Sequence, residues 1–440
     1  MTSSLIKNYG IVIILFLLCA LFSILTIKEQ NLDDDTAINQ VLKKIEYLSK
    51  TDDLILTIST KNKPSGPFSD RLRDSLQERN FSNVVSVVGT PRDMSITLDS
   101  IKISKSTLSL IAASGDIKSW RIFENFSQLH PELSNCKIIF PTTHLWPDFL
   151  RKSNLVAIVD RIVVIAIIAI GMTMVIITGG IDLSVGSLIA VSAVLSTTLM
   201  KMLGGTEASG LSVFLGFLVG TIACGALGCV GGLLVAKYKV PPFITTLGLM
   251  LMGRGLAFMI TGGFSIYEVP KTLSWLGQGS IFGLANTLVL LIVLYFIAYL
   301  FMSHSLIGRY IYATGGNSEA AHISGVPVNA VIIFVYGISG VMAGIGGCVQ
   351  ASQLNTGTPN MGLMYELYVI AAVVVGGTSL SGGTGKILGT LIGAFIISVI
   401  QNGMNLLGIE SYTQQVVLGL VILIAVLLDK ASLQKLQSNH

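Results

Sequence analysis

Charged residues are scarce in this sequence. Only 12% of the 440 residues are Asp, Glu, Lys or Arg, about half of the roughly 25% that is typical of soluble domains. Hydrophobic residues make up 52%, and the mean hydropathy is +0.74. This composition excludes an ordinary soluble protein and indicates an integral membrane protein. The sequence also lacks basic tracts interleaved with aromatic residues, so we expect no nucleic-acid partner.

Cysteine and histidine are equally few, with five residues of each. No pair has the spacing of metal ligands. Cys136 is alone in the polar part of the chain, which excludes a disulfide within that part. The other four cysteines lie in apolar segments, where they are interpreted as small packing residues. We therefore expect no metal site and no catalytic residues in this chain.

A nucleotide site is missing as well. The segment SGGTGKI, residues 381–387, superficially resembles a phosphate-binding loop. Such a loop needs Gly five residues before the Gly of its Gly-Lys pair, and Ser or Thr after the Lys. Leu380 and Ile387 occupy those positions. We interpret the segment as a turn between two membrane helices and expect the chain to bind no cofactor.

Charge is concentrated in one region of the chain. Residues 28–150 hold 15 of the 28 Lys and Arg residues and 16 of the 24 Asp and Glu residues. Within this region strand-like runs alternate with amphipathic helical segments, which predicts a small α/β domain with a parallel sheet. The expected strands are 53–60, 83–89, 107–115 and 136–141, and the expected helices are 67–80, 91–104 and 116–130.

Long apolar runs occupy the rest of the chain, and each is long enough to cross a hydrocarbon core of about 30 Å. The first, 10–27, is interpreted as an uncleaved membrane helix. Nine more follow, near 154–178, 182–202, 209–236, 241–262, 285–303, 328–351, 363–378, 386–407 and 413–429.

Lys and Arg in short loops predict the orientation, because they accumulate on the cytoplasmic side. Placing the N-terminus inside puts four basic sites inside and the region 28–150 outside. The four sites are residues 237–239, Arg309, Lys386 and Lys430. Arg151 and Lys152 then lie outside, against the rule, in a segment that could lie along the membrane interface.

The predicted fold is therefore an all-α polytopic membrane protein of about ten transmembrane helices, with an inserted small extracytoplasmic α/β domain. Both termini are expected in the cytoplasm of a bacterium and the chain in its plasma membrane, surrounded by lipid. The predicted divisions are a first transmembrane helix at 1–27, the α/β domain at 28–150, a membrane-spanning domain of nine helices at 151–430 and a cytoplasmic tail at 431–440.

One carboxylate, Asp182, lies in the apolar stretch VIITGGIDLSVGSLIAV. A charge at mid-membrane costs about 2.5–3.5 kcal/mol on insertion scales and normally faces a protein interior or water. Gly179 and Gly180 are expected to break a helix there, and Asp182 to cap the next one by accepting from an N–H such as that of Ser184. A structural cap and a role in a translocation pathway or gate, shared with Gly186, are both compatible with this pattern.

Two further charges in apolar segments are Arg254 and Glu366. Each could extend its charged end to the outer interface. Alternatively, the two could form a pair that faces the pathway.

The longest inner connection, residues 303–330, is polar. A turn is expected at Gly315 and Gly316, and Asn317 is a suitable cap for a short helix after it. That helix would contain Glu319, Ala320 and Ala321 and end before Gly325. It is interpreted either as a solvated linker or as a docking element for a partner.

Four blocks of the sequence carry a family resemblance. They are GMTMVIITGGIDLSVGSL, VPPFITTLGLMLMGRGLAFMITGG, GRYIYATGGNSEAAHISGVPV and AAVVVGGTSLSGGTGKILGTLIGAFIISVIQNGMNLLGI. Over about 145–430 the chain resembles the permease subunits of bacterial ABC importers for ribose, xylose, galactose and similar monosaccharides. GGIDLSVG matches the family's signature, and Ala313–Gly325 matches its ATPase-contacting loop.

The resemblance implies the membrane-spanning permease subunit of an ATP-driven importer. Its implied partners are a second permease subunit, identical or different, a cytoplasmic ATPase that uses ATP and Mg, and an extracytoplasmic sugar-binding protein. The α/β region departs from the family, whose members have a short outer connection there. An ion-coupled secondary transporter that uses Asp182 or Glu366, and a sensor that binds ligand through the α/β region, remain as alternatives.

Overall fold

The computed structural model describes residues 2–31, 34–61, 67–104, 107–133 and 135–437. These residues form two compact units. One is Ile27–Pro147, and the other consists of the described residues before and after it. The boundary differs from the expected 28–150, because Ile27 already belongs to a strand and Phe149 packs with Phe22 in the core of the other unit.

The chain begins with helix α1, Thr2–Leu25. The helix ends earlier than the predicted residue 27, since Thr26 forms a turn and donates its hydroxyl to the Phe22 carbonyl at 2.7 Å. The Thr26 carbonyl accepts from the N–H of Asp148 at 2.9 Å, which joins the two places where the chain leaves and re-enters this unit.

The unit Ile27–Pro147 contains strands and helices in alternation. In chain order these are β1 (Ile27–Asn31), α2 (Asp34–Leu48), β2 (Leu54–Ser59), α3 (Phe68–Gln77), β3 (Val84–Val88), α4 (Pro91–Ile103), β4 (Leu108–Ala113), α5 (Arg121–Glu124), α6 (Phe126–Leu129), β5 (Lys137–Ile139) and β6 (Thr143–Pro147).

Four of these strands form one parallel sheet in the order β3-β2-β4-β5. Successive side chains of a strand point to opposite faces, and both faces of this sheet are covered. Ile55 of β2 packs with α2 and α3, whereas Leu56 and Ile58 pack with α4 and the segment after β4. The result is a three-layer arrangement with two aliphatic cores.

Parts of this unit were not expected from the sequence. The helix predicted over 116–130 is wrong: the chain forms a 3-10 turn and the two short helices α5 and α6. They are separated at Asn125, whose φ of −116° and ψ of 23° leave the helical region. Helix α2 and the antiparallel pair β1–β6 were not predicted either.

The described residues from Asp148 onward form twelve α-helices and one small hairpin. They are α7 (Lys152–Ile177), α8 (Val185–Met202), α9 (Gly210–Ala236), α10 (Pro242–Thr261), α11 (Ser274–Gln278), β7 (Ser280–Ile281), β8 (Leu284–Ala285), α12 (Asn286–His304), α13 (Leu306–Gly316), α14 (Ser318–Ile323), α15 (Val328–Leu354), α16 (Tyr365–Val375), α17 (Ile387–Leu406) and α18 (Ser411–Gln437).

Seven helices in the described part of the chain are long and apolar enough to cross a membrane. They are α7, α8, α9, α10, α12, α15 and α17. Three shorter apolar helical segments accompany them: Gly10–Leu25, Tyr365–Val375 and Ser411–Leu427. The chain is thus a polytopic α-helical membrane protein, and the count of ten spans stays a prediction.

Helix α16 is shorter than the apolar run 363–378 suggested. Its 11 residues span roughly 16 Å at about 1.5 Å per residue, about half of a hydrocarbon core. Met364 before it adopts a φ of 67°, and Gly377 after it adopts a φ of 86°. Both conformations are left-handed, so the helix cannot continue through either end.

Candidate functional site

The break between α7 and α8 contains the predicted Asp182. Helix α7 ends at Ile177, and Gly179 follows with a φ of +82°, a left-handed conformation that favours glycine. Asp182 is fully buried. Its Oδ1 accepts hydrogen bonds from the Ser184 N–H at 3.0 Å and the Ser184 hydroxyl at 2.6 Å. The carboxylate therefore holds the residue that precedes the first turn of α8.

The other oxygen of Asp182 reaches a different helix. Its Oδ2 accepts from the Ser339 hydroxyl of α15 at 2.7 Å. A buried charge is tolerated only when hydrogen bonds replace its lost hydration, and three donors do so here. Asp182 thus ties the helix break to α15, a contact that the sequence alone did not indicate.

Gly180 fits against the same part of α15. A Cβ at this position would lie 2.5 Å from the hydroxyl oxygen of Tyr336, which is buried. Gly171, further back on α7, would place a Cβ 2.6 Å from the Cα of Ser339. Small residues on α7 and in the break therefore let α15 approach closely enough for Ser339 to reach Asp182.

Gly186, Arg254 and Glu366 meet at the start of α8. A Cβ on Gly186 would overlap the Glu366 carboxylate and lie 2.7 Å from the Gly362 carbonyl oxygen. The Arg254 Nη2 lies 3.5 Å from the Gly186 carbonyl oxygen. The structure therefore brings these three predicted residues to one place, although they are far apart in the sequence.

Arg254 and Glu366 are not joined by an ion pair within 4.0 Å. Instead, Arg254 Nη1 donates to the carbonyls of Pro359 at 2.7 Å and Met361 at 2.8 Å. Arg254 thus holds the loop between α15 and α16 against the start of α8. The sequence missed this role of the loop, because backbone carbonyls carry no sequence signal.

The inner connection differs from its prediction at Gly315 and Gly316. A turn was expected there, but both glycines are the last residues of the continuous helix α13. A Cβ on Gly315 would overlap the Ile177 carbonyl oxygen and lie 2.7 Å from the Gly383 nitrogen, whereas nothing lies within 4 Å of one on Gly316. Gly315 thus serves close backbone packing and not a turn.

The short helix α14 follows directly. The Asn317 Oδ1 accepts from the Ala320 N–H at 2.9 Å, which is the cap expected at this residue. Gly325 stands after the helix with a φ of +86°. Ala321 is buried, whereas Glu319 and Ala320 are exposed. Ile323 is 82% exposed, and sequence reasoning did not single it out.

The segment that resembles a phosphate-binding loop packs between helix ends. The Gly383 N–H donates to the Ile177 carbonyl at 2.8 Å, and the Tyr312 hydroxyl donates to the Gly385 carbonyl at 2.9 Å. Hydrogen bonds therefore connect α13 through this segment to Ile177, the last residue of α7, which lies two residues before Gly179. Among the described residues, no group of three or more His, Cys, Asp or Glu could hold a metal ion.

A bundle of long apolar helices with a buried, fully hydrogen-bonded carboxylate at a helix break defines a polytopic membrane protein with irregular backbone inside the bundle. Such backbone is tolerated at membrane depth only where protein or a water-filled cavity surrounds it. Residues 154–426 match the family model described as "Branched-chain amino acid transport system / permease component". The chain belongs to this family of membrane permeases.

Curated relatives agree with this assignment. The ribose import permease protein RbsC of Escherichia coli K12 is 41% identical over 65% of this chain and 88% of the relative. RbsC of Bacillus subtilis is 40% identical over 69% of this chain and 92% of the relative. The L-arabinose ABC transporter permease protein AraH of Azospirillum brasilense is 35% identical over 67% of this chain and 85% of the relative. No solved structure matches the chain significantly.

Proposed function

We propose that this chain is the membrane-spanning permease subunit of a bacterial ABC importer that moves a monosaccharide or similar small polar solute into the cytoplasm. The observation that carries the proposal is the similarity to the ribose and L-arabinose permeases, which extends over 85% or more of each relative. Two of these relatives are named as ribose import permeases and the third as an L-arabinose ABC transporter permease. ATP hydrolysis in such systems belongs to a separate subunit.

The proposed arrangement in the membrane has about ten spans with both termini in the cytoplasm. Seven long helices and three shorter apolar segments support that number. The described residues between Ile27 and Pro147 form the inserted α/β domain, on the extracytoplasmic side. The distribution of Lys and Arg in short loops supports this orientation. The cytoplasmic membrane of a bacterium follows as the location.

The proposed partners are a cytoplasmic ATPase that binds ATP and Mg, an extracytoplasmic sugar-binding protein and a second permease subunit. Helix α14 is proposed to dock on the ATPase. Its Asn317 side chain caps the first turn, Ala320 allows close approach, and the exposed Ile323 supplies apolar contact area. Glu319 offers one charge to a basic residue of the partner.

Movement of α14 has a direct route to the helix break. Gly315 at the end of α13 packs against the Ile177 carbonyl and Gly383, and Ile177 is the last residue of α7. We propose that closure of the ATPase shifts this contact and thereby moves Gly179, Gly180 and Asp182. Ser184, Gly186, Arg254 and Glu366 would then follow, because they surround the start of α8.

Ion coupling through Asp182, one of the two carboxylates that an ion-coupled transporter could use, finds less support in this geometry. The other carboxylate, Glu366, is half-buried and is not covered by this argument. Coupling to an ion needs a carboxylate that an ion or proton can reach. Asp182 is fully buried, and three donors already engage its two oxygens. A structural tie that moves with the helix break agrees better with these contacts.

Uptake in proteoliposomes tests the proposal. The chain would be reconstituted with its ATPase and sugar-binding protein, and labelled D-ribose, L-arabinose and D-allose would be offered on the outer side. We expect uptake of at least one sugar that requires hydrolysable ATP and persists when ionophores collapse all ion gradients. Uptake that follows an ion gradient without ATP would contradict the proposal.

The adjacent glycines of α13 provide a matched pair for the coupling role. Gly315→Ala inserts a methyl group against the Ile177 carbonyl, whereas Gly316→Ala adds the same group where nothing lies within 4 Å. We expect Gly315→Ala to abolish sugar-stimulated ATP turnover and Gly316→Ala to retain it. Equal turnover in the two variants would show that this contact does not transmit coupling.

A further inference from the structure

A polar cavity lies between four helices of the membrane unit. It has a volume of about 310 Å³, at the lower end of the roughly 300–1,000 Å³ of small-molecule sites. The cavity is lined by the first half of α7, the beginnings of α16 and α18, and the last turns of α17. These four parts lie toward the same side of the membrane. The polar residues of its lining are Arg161, Tyr365, Tyr368, Gln401, Asn405, Ser411 and Gln414.

Gln401 is the central observation. This residue is only 7% exposed, its amide makes no hydrogen bond to any described residue, and it lines the cavity. The Gln401 amide is not among the described buried polar atoms that lack both a partner and accessible surface, so it is open to the cavity. A ligand or water in the cavity can therefore hydrogen-bond to it. The cavity thus offers a polar group to a ligand, which distinguishes it from an apolar packing defect.

The neighbouring groups are also available for binding. The Tyr365 hydroxyl accepts from the Gln350 Nε2 at 3.2 Å, which leaves its own hydrogen free to donate. The Asn405 Oδ1 accepts from Gln414 at 2.7 Å, and the Asn405 NH₂ group donates to no described residue. The guanidinium of Arg161 likewise has no hydrogen-bond or ion-pair partner among the described residues.

The chemistry of this lining selects a class of ligand. Amides, phenols and a hydroxyl supply donors and acceptors together, the Arg161 guanidinium adds further donors, and hydroxyl groups on a ligand can use both kinds. The rings of Tyr365 and Tyr368, 6.0 Å apart in an edge-to-face arrangement, add apolar faces. A lining with this share of polar groups does not suit an acyl chain, whereas a small ring with several hydroxyl groups satisfies it.

We propose that this cavity is a binding site within the permease for a hydroxyl-rich solute, with Gln401 as its central contact. The inference rests on the proposed import of a monosaccharide and deepens it, because it assigns the permease its own solute site. On the orientation proposed above, the cavity opens to the extracytoplasmic side. Arg161 lies about nine residues into α7, roughly 14 Å along the helix axis, so the site extends below the membrane surface.

Direct binding to the intact chain tests the site without transport. The full-length protein would be placed in phosphatidylcholine nanodiscs, and saturation-transfer NMR recorded with D-ribose, L-arabinose and D-allose. Tetrahydropyran, a ring without hydroxyl groups, is the negative probe. We expect transfer to at least one sugar and none to tetrahydropyran. Equal transfer to tetrahydropyran, or no transfer to any sugar at millimolar concentration, would overturn the proposal.

Variants locate the binding. Gln401→Met keeps the volume and removes both hydrogen-bonding groups, and should weaken sugar binding roughly 5- to 10-fold, the equivalent of one to two neutral hydrogen bonds. Ser398→Ala is the matched control, because Ser398 is a buried polar residue of the same helix outside the cavity lining. Ser411→Ala, at an exposed position that tolerates change, should weaken binding by a smaller factor and covers the case in which Gln401→Met fails to fold. Wild-type affinity in both Gln401→Met and Ser411→Ala would overturn the site.

ATP-driven uptake by the assembled transporter separates the two proposals. If ATP-driven uptake is observed but sugar binding does not depend on Gln401, the importer function is supported and the proposed site is wrong. Sugar binding that depends on Gln401, without ATP-driven uptake, would support the site and remove the importer function. Binding that appears only when a glycolipid is added to the nanodiscs would assign the cavity to a lipid headgroup and overturn the proposal.

Discussion

The two units of this chain bury their interiors with opposite kinds of residue. The unit Ile27–Pro147 fills both faces of its sheet with large aliphatic side chains such as Ile55, Leu72 and Leu110, all of which are fully buried. In the membrane unit, α9 and α15 meet largely through glycines. Gly232 would place a Cβ 2.7 Å from the Cα of Ile333, and Gly344 one at 2.7 Å from the Cα of Thr221.

The difference follows from the solvent around each unit. In water, the removal of apolar surface drives packing, so large side chains stabilise most. In lipid, apolar surface is already in an apolar medium, and helices gain from close backbone approach and internal hydrogen bonds. The two units should therefore fail in opposite ways: the α/β unit when side chains are shortened, and the membrane unit when they are added.

The largest expected effect is the insertion of a side chain between α9 and α15. A Cβ on Gly340 would overlap the Cys224 carbonyl oxygen and lie 3.2 Å from the Cα of Gly225. Gly340→Leu should abolish recovery of monodisperse protein in fluorescence-detected size exclusion. Gly248→Leu, at an exposed helix position with nothing within 4 Å, is the control and should be recovered normally. Normal recovery of Gly340→Leu would show that the contact between α9 and α15 does not require glycine, which contradicts the comparison of the two units.

The α/β unit should instead be sensitive to the shortening of a buried side chain. Leu110→Ala should destabilise this unit by about 2–5 kcal/mol, because it removes a fully buried side chain and leaves a cavity. Amide hydrogen exchange of β2 and β4 in the intact chain measures the loss. Ile103→Ala is the control, since Ile103 is 83% exposed. Unchanged exchange after Leu110→Ala would show that this sheet does not depend on its aliphatic core.

Substitution of Asp182 tests how much buried hydrogen bonds contribute to the stability of the membrane unit. Asp182→Ala leaves the Ser339 hydroxyl and the Ser184 donors without their acceptor, at about 1–3 kcal/mol for an unsatisfied buried group. We expect a lower melting temperature in detergent. Asp182→Asn keeps one acceptor oxygen and should cost less. Glu268→Ala is the control, because its ion pair with Lys201 is exposed and exposed pairs contribute little. A melting temperature equal to wild type for Asp182→Ala would show that the tie to α15 is not needed.

The smallest effect concerns pH and is confined to the α/β unit. Burial, together with the nearby Lys102 charge, lowers the pKa of His130 below its ordinary 6.5. Hydrogen bonds from the Thr90 N–H and hydroxyl, both at 2.8 Å, lower the pKa of Asp93 below 3.8. In each case the unfolded chain binds the proton more readily, so acid destabilises the unit.

Protection of the sheet amides should therefore fall in two steps as the pH decreases. The first step begins below about 6.5 and belongs to His130, and the second begins below about 3.8 and belongs to Asp93. His130→Leu should remove the first step and Asp93→Asn the second. Two unchanged steps in these variants would assign the acid sensitivity to other groups.

Much of the secondary structure was predictable because long apolar runs and β-α alternation are local patterns. The four strands of the parallel sheet and the long membrane helices lie close to their predicted ranges. The helix α13 was missed, since its sequence, LIGRYIYATGG, is mixed and ends in two glycines that suggest a turn. The pair β1–β6 was missed because its strands lie at opposite ends of the unit and are mostly exposed.

The individual site residues were predictable only as unusual residues in apolar surroundings. Asp182, Arg254 and Glu366 stand out because charge is rare in membrane segments. Their partners do not: Ser339 is one of many serines, and the acceptors of Arg254 are carbonyls of Pro359 and Met361. Arg161 in α7, another charge in an apolar segment, was overlooked although the same criterion applies to it.

The sequence by itself determined the class of protein, the positions of most helices and the membership of the permease family, because these depend on composition and on local pattern. The tertiary structure alone decided that Asp182 binds Ser339, that Gly315 lies against the end of α7, and that Gln401 faces a cavity beside Arg161. These contacts join residues far apart in the chain. They depend on how closely two backbones approach, and that distance is set by the packing of whole helices and has no local signal in the sequence.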